Sequence, residues 1–283
     1  MNTRATSSLG RSFAFLLLAF TTTVSLLPAQ DVRVYTVVSR VDQPGGSAKP
    51  VSHSLTLFHA GKVYDYVESL GEVVIFEPVH DRFIILGGNY TATEVTFTEI
   101  NQILHSAETQ SLKRVAELQG ISDESEQRKA AAIRFQLAPE FEMSVGQSNE
   151  LRLVGEFLEY AVTTADVERP QIAEQYLTYA DWTARLNYVL HPQSLFPAAR
   201  LELNNALRAQ QRLPVTVELN LPAAGGAQLR AEHQYSWELQ SIDKRHISRW
   251  EQLIDSNKIE WLAFQEYRER AAAEATPARD NRN

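Results

Sequence analysis

Four groups of residues in this chain have types and spacings that could support chemistry. His53 and His59 fall on the same face of one extended segment. Six residues of strand span about 20 Å at ~3.3 Å per residue, too far for both rings to bind one metal ion directly. Tyr64 and Tyr66 flank Asp65, so alternation puts the tyrosines on one side of a strand and the acid on the other. Aromatic pairs at this spacing stabilise a sheet through cross-strand contacts, or offer a platform to a sugar. Between Tyr176 and Arg185, helical spacing gathers Tyr179, Trp182 and Arg185, with Asp181 and Arg185 four residues apart. Trp and Tyr combine apolar area with a polar tip. Tyr179, Trp182 and Arg185 are therefore the candidate ligand-binding residues, expected at the mouth of a site. Glu140 with Glu142, and Glu156 with Ser148, are read as pairs sharing a strand face. A glycosidase needs two carboxylates at a set separation, and these pairs impose none.

The sequence contains no HExxH or His-x-His pair, and no GxSxG elbow, phosphate-binding loop or GxGxxG fingerprint. Its paired glycines, at 45–46, 87–88 and 225–226, sit in turn contexts. No residue is assigned a catalytic or metal-binding role, and no cofactor is expected. Asn89-Tyr90-Thr91 matches the glycosylation acceptor pattern, which matters only in a glycosylating secretory pathway.

The first thirty residues indicate where the protein works. Arg4 and Arg11 make an acid-free basic region, residues 12–27 form an apolar run, and Pro28-Ala29 supplies a small residue for cleavage. This is the three-part order of a secretory signal peptide over residues 1–29, and the run is short for a membrane span. Removing those two arginines takes the formal charge from −8 to −10, which disfavours nucleic acid as a partner. The chain has no cysteine. Disulfides, thiol chemistry and lipidation of an N-terminal cysteine are all excluded, so stability must come from an apolar core. The expectation is a soluble exported protein, periplasmic or extracellular, without a stable membrane anchor after cleavage.

The elements that must position these residues fall into blocks. Residues 32–98 alternate with period two and are broken by short turns, one of them Ala60-Gly61-Lys62, as in an antiparallel meander. A helix is predicted from Thr98 to Gly120, followed by an exposed charged stretch at 122–128 and a short helix around Ala130. Strands follow at 135–145 and 150–163, then helices at 170–190 and 196–210 and a hairpin over 214–239. One amphipathic helix from Ile247 to Phe264 and a flexible tail at 271–283 complete the chain. Hairpin-linked strands with helices in separate blocks predict an α+β fold, a curved antiparallel sheet with helices packed on one face. The domain spans residues 30–270, with a subdivision near 165–170 as the alternative.

The order Leu55-Thr56-Leu57-Phe58, Gly61-Lys62-Val63-Tyr64-Asp65, Val73-Val74-Ile75-Phe76, Arg82-Phe83-Ile84-Ile85-Leu86 and Thr93-Glu94-Val95-Thr96 resembles exported proteins with a lipoprotein-carrier-like half barrel. It is similar also to uncharacterised exported bacterial proteins. The resemblance covers about 50 residues of strand patterning. It implies a curved sheet, helices over its concave side and, in some members, an acyl-chain cavity; it carries over no functional residue. The expected function is non-enzymatic binding of a lipid or lipoprotein-like apolar ligand, or of an envelope protein partner. An exported hydrolase of envelope material is the alternative.

Overall fold

The structure, a computed structural model, describes residues 31–41, 48–146, 149–222 and 227–275. The expected signal peptide, the Gly45-Gly46 and Gly225-Gly226 turns, Ser148 and residues 276–283 of the expected tail lie outside the described residues.

The first block is a meander: β1 (Val32–Val41), β2 (Lys49–His59), β3 (Lys62–Val67), β4 (Glu72–Glu77), β5 (Arg82–Leu86) and β6 (Thr91–Thr96). Each pairs antiparallel with the next. The β2–β3 turn has φ of 51° at Ala60 and 80° at Gly61, the left-handed pair that matches strand twist. Thr96 ends β6 and caps α1 (Phe97–Gln119). Its Oγ1 accepts from the Glu99 amide at 3.1 Å, and Glu99 accepts from the Thr96 amide at 2.8 Å, a closed capping box. Next come α2 (Glu124–Leu137), β7 (Glu142–Val145), β8 (Glu150–Val154), β9 (Glu159–Asp166), α3 (Pro170–Leu190) and α4 (Ala198–Ala209). The chain continues through β10 (Arg212–Leu221), β11 (Ala227–Ser236), α5 (Ser241–Ile254), β12 (Glu260–Leu262) and α6 (Phe264–Ala275).

The strands form one curved, unclosed sheet in the order β12-β6-β5-β4-β3-β2-β1-β11-β10-β9-β8-β7. All neighbours are antiparallel except β12 and β6. The fold is α+β with a mostly antiparallel sheet. The larger core joins Phe58, Phe76, Phe83 and Val95 of the sheet to Ile100 of α1, Phe135 of α2, Leu177 of α3 and Leu203 of α4. Helices α1–α4 therefore share one face. A second, smaller core lies on the opposite face, where Leu57, Tyr64, Ile75 and Ile84 meet Ile247 and Trp250 of α5.

Three boundaries differ from the sequence reading, each for a local reason. The charged stretch at 122–128 opens α2, because Asp123 accepts from the Glu126 amide at 3.1 Å and acids favour a helix N-terminus. Phe135 consequently closes a helix instead of opening a strand. The segment 150–163 is two strands, turned at Gly155, where a β-carbon would overlap the ring of Phe135. Glu156 sits exposed in that turn, and Glu140 precedes β7, so neither carboxylate shares a strand face as expected. Finally, the expected C-terminal helix is interrupted by β12, whose Leu262 carbonyl accepts from Thr93 Oγ1 at 3.0 Å. Residues 271–275, expected in the tail, belong to α6.

Candidate functional site

Strand register builds a line of polar side chains on the face that α3 covers. Val34 of β1 stands opposite Thr56 of β2 and Tyr235 of β11, and Thr56 stands opposite Asp65 of β3. One step along, Thr36 faces both His233 and Ser54. Side chains two apart along a strand share a face, so Thr36, Ser54, Asp65, His233 and Tyr235 all point toward the helix. Val38, Ala231, Leu219 and Leu221 continue this face as a half-buried apolar strip.

Above this floor, α3 lowers Tyr176 and Tyr179, which are only 7% and 6% exposed. Yet Thr36, Ser54, Asp65, His233 and Tyr235 beneath them are half-buried, not buried. Tyr176 and Tyr179 thus cover a floor of polar side chains that keep some accessible surface. Thr56, by contrast, is buried.

The polar groups form two hydrogen-bonded clusters. Asp65 accepts from Thr56 Oγ1 at 2.8 Å, and the hydroxyls of Tyr179 and Ser54 are near enough to favour its charged form. Burial raises the Asp65 carboxyl above its ordinary range, and these three donors oppose the rise. On the β11 side, His233 Nδ1 meets Thr36 Oγ1 at 2.9 Å, and Tyr235 donates to the Pro214 carbonyl at 2.7 Å. The Tyr176 ring lies 5.8 Å from Tyr235 and 6.3 Å from His233, edge-on to both. Burial, reinforced by the nearby Arg200 cation, lowers His233 to about 3. Burial raises Tyr176, Tyr179 and Tyr235, so all three phenols stay protonated. A histidine neutral down to pH 3 is a poor general base near neutrality. The arrangement supplies hydrogen bonds and aromatic walls, the equipment of binding.

The residues singled out in the sequence are dispersed by the fold. Tyr179 reaches the site, where its hydroxyl comes near Asp65 and its ring packs edge-on to Phe58 with centroids 5.7 Å apart. Trp182 turns away and stacks on Phe97 at 3.7 Å, and Arg185 lies over the Trp182 ring at 5.1 Å. The trio thus runs along one helix from the polar line to the α1 contact, with only Tyr179 inside. Tyr64 and Tyr66 occupy the opposite face, both against the Trp250 ring. His53 stacks with Tyr35 at 6.3 Å, and His59 Nδ1 donates to Asp31 at 2.8 Å. Asp65 was visible as the odd member of Tyr64-Asp65-Tyr66. His233, Tyr235, Thr36 and Arg200 were missed. Alternation of Ala231, His233 and Tyr235 with Glu232 and Gln234 was the available signal, because it places a histidine on a core face.

Surface grooves beside the first turns of α3 have other linings. One of about 320 Å³ lies among Pro170, Glu174 and Arg208, and another of about 330 Å³ lies among Val63, Phe76 and Thr178. Among the described residues, no group of three or more His, Asp or Glu side chains is placed to hold a metal ion. No described helix is long and apolar enough to cross a membrane. Comparison with protein-family models and with curated proteins finds no match to this chain.

Proposed function

We propose that this is an exported, non-enzymatic binding protein that takes up a mainly apolar ligand with a polar end between α3 and strands β1–β3 and β11. One observation carries the reading: polar side chains keep accessible surface beneath the buried Tyr176 and Tyr179 of α3, beside a half-buried apolar strip. Ligand sites are mostly apolar spaces with a few placed polar groups, and this combination has that composition. Val38, Leu219, Leu221 and Ala231 would line the apolar part, and Tyr176, Tyr179, Tyr235, His233 and Asp65 the polar part. The basic and apolar leader at residues 1–29 supports export. The resemblance of the meander to half-barrel proteins, some of which hold an acyl-chain cavity, points the same way.

Native mass spectrometry of the mature protein purified from its own envelope, before and after organic extraction, tests the reading. The expected result is a reproducible extra mass that extracts as lipid. A clean apo mass that does not shift when lipids are added overturns carriage and leaves binding of an envelope protein as the reading to test.

A further inference from the structure

The sheet ends at β7, and the open side of that strand is apolar. In the β7–β8 ladder Met143 stands opposite Leu153 and Val145 opposite Leu151. Residues directly opposite share a face. Leu151 and Leu153 are buried in the larger core, whereas Met143 is 58% and Val145 55% exposed. The core face of the sheet therefore runs on for one strand beyond its cover.

The backbone at the same two residues is open as well. The Gly146 amide donates to the Glu150 carbonyl at 2.8 Å. Antiparallel ladders alternate, so Ser144 with Arg152 and Glu142 with Val154 also turn their N–H and C=O groups toward each other. The next ladder agrees, because the Thr164 amide donates to the Asn149 carbonyl at 2.9 Å, which turns Leu151 and Leu153 toward β9. Met143 and Val145 consequently present their N–H and C=O groups away from β8. Among the described residues no strand pairs with that side. Charged side chains, proline or a bulge commonly guard such an edge, and here the two open residues are Met and Val.

We infer that β7 pairs antiparallel with β7 of a second copy, about a two-fold axis between the two Ser144 residues, so that the two sheets continue into each other. This register sets Met143 opposite Val145 of the second copy and Val145 opposite its Met143. Both members of each pair have open backbone groups, so each pair can exchange its N–H···O bonds. The apolar side chains then meet on the shared core face. Glu142 falls opposite Gly146 of the second copy, and no carboxylate stands directly against another. A slip of one residue would set core-face side chains against outward ones. The strand thus supplies its own complement in both side chains and backbone, and a two-fold axis closes the assembly at two copies. A strand of 4 residues makes a small interface, so pairing should depend on concentration.

The test is sedimentation velocity of the mature chain over a concentration series, with residue-resolved hydrogen exchange measured in parallel. The expected result is a shift from monomer to dimer as concentration rises. The Met143 and Val145 amides should slow about tenfold once about nine in ten chains are paired, while exchange at β12 stays unchanged. Val145→Lys puts a charge into the pairing, and Val145→Pro removes an N–H that the fold itself does not use. Both variants should remain monomeric and keep the urea midpoint of the unpaired parent. A parent that is monomeric throughout the series overturns the inference. A dimer in which the Met143 and Val145 amides exchange as fast as in the monomer overturns it too, as does one that survives both substitutions. Slow exchange of those amides in a monomer also overturns it and gives the edge to another segment. The exchange measurement needs no variant, so it decides the matter even if Val145→Pro does not fold.

Discussion

Asp65 carries opposing demands: it is surrounded by hydroxyl donors that favour its charge and by protein that disfavours it. Burial prevails, and its folded pKa lies above the unfolded value. A raised pKa means the folded protein binds this proton more tightly than the unfolded chain does. The stability it confers is complete below the unfolded carboxylate pKa and is lost as pH rises through the folded one. His233 acts in the opposite sense. Its depressed pKa leaves the fold unaffected above about 6.5 and destabilises it as pH falls toward 3, where the unfolded chain takes the proton first. Replacing Asp65→Asn keeps an acceptor for Thr56 and removes the ionisation. The variant should lose less stability than the parent between pH 4 and pH 9, by about 1.4 kcal/mol for each pH unit separating the two pKa values. Thermal midpoints across that range measure it; parallel profiles would show that Asp65 ionises without penalty.

Helix α5 forms the smaller core alone, and its docking rests on three contacts spaced along it. Asp243 is 1% exposed, accepts from the Gln240 amide at 2.8 Å and lies 3.4 Å from Arg33. One turn before the C-terminus, Trp250 lies against Tyr64 and Tyr66, and His246 stacks on it at 5.6 Å. Glu251 then accepts from Lys62 at 2.9 Å and from Tyr64 at 2.5 Å. Of these, the aromatic contact removes the most apolar surface from water, while a half-exposed ion pair such as Lys62–Glu251 contributes little. Trp250→Ala should therefore cost about 3–5 kcal/mol, read as a fall in the urea midpoint. A loss below about 1 kcal/mol would place the docking energy in the ion pairs instead. The same logic explains Tyr64 and Tyr66, whose partner is a tryptophan of this chain and not a sugar.

Across the whole molecule, β1 holds the sheet together because it lies between β2 of the first meander and β11 of the last hairpin. Both ladders run nearly its full length. The larger core likewise draws on Phe83 of β5, Leu151 of β8, Leu177 of α3 and Leu213 of β10, so segments distant in the chain share one set of contacts. Unfolding one half exposes the core of the other. Urea unfolding followed by far-ultraviolet circular dichroism and by tryptophan fluorescence should give superimposable single transitions. An earlier, separate step in either signal would identify the subdivision near residues 165–170 as a real boundary.

Local order was readable in the residues themselves. Period-two alternation, the Ala60-Gly61 turn and the Pro170 start of α3 are short-range signals, and they yield the meander, the main helices and the α+β class. The boundaries that moved were those set by distant partners: Phe135 fills the space a side chain at position 155 would need, and β12 pairs with the edge of β6. The candidate site belongs to this second kind. Asp65 could be assigned to a face of its strand, but nothing local says that Tyr179 covers it. Nor does local pattern place His233 opposite Thr36 or bring Arg200 of a later helix near them. Those contacts join residues up to 197 positions apart, and only the register of β1 between β2 and β11 and the packing of α3 and α4 decide them. Alternation tells which face a side chain takes; tertiary packing alone tells what faces it.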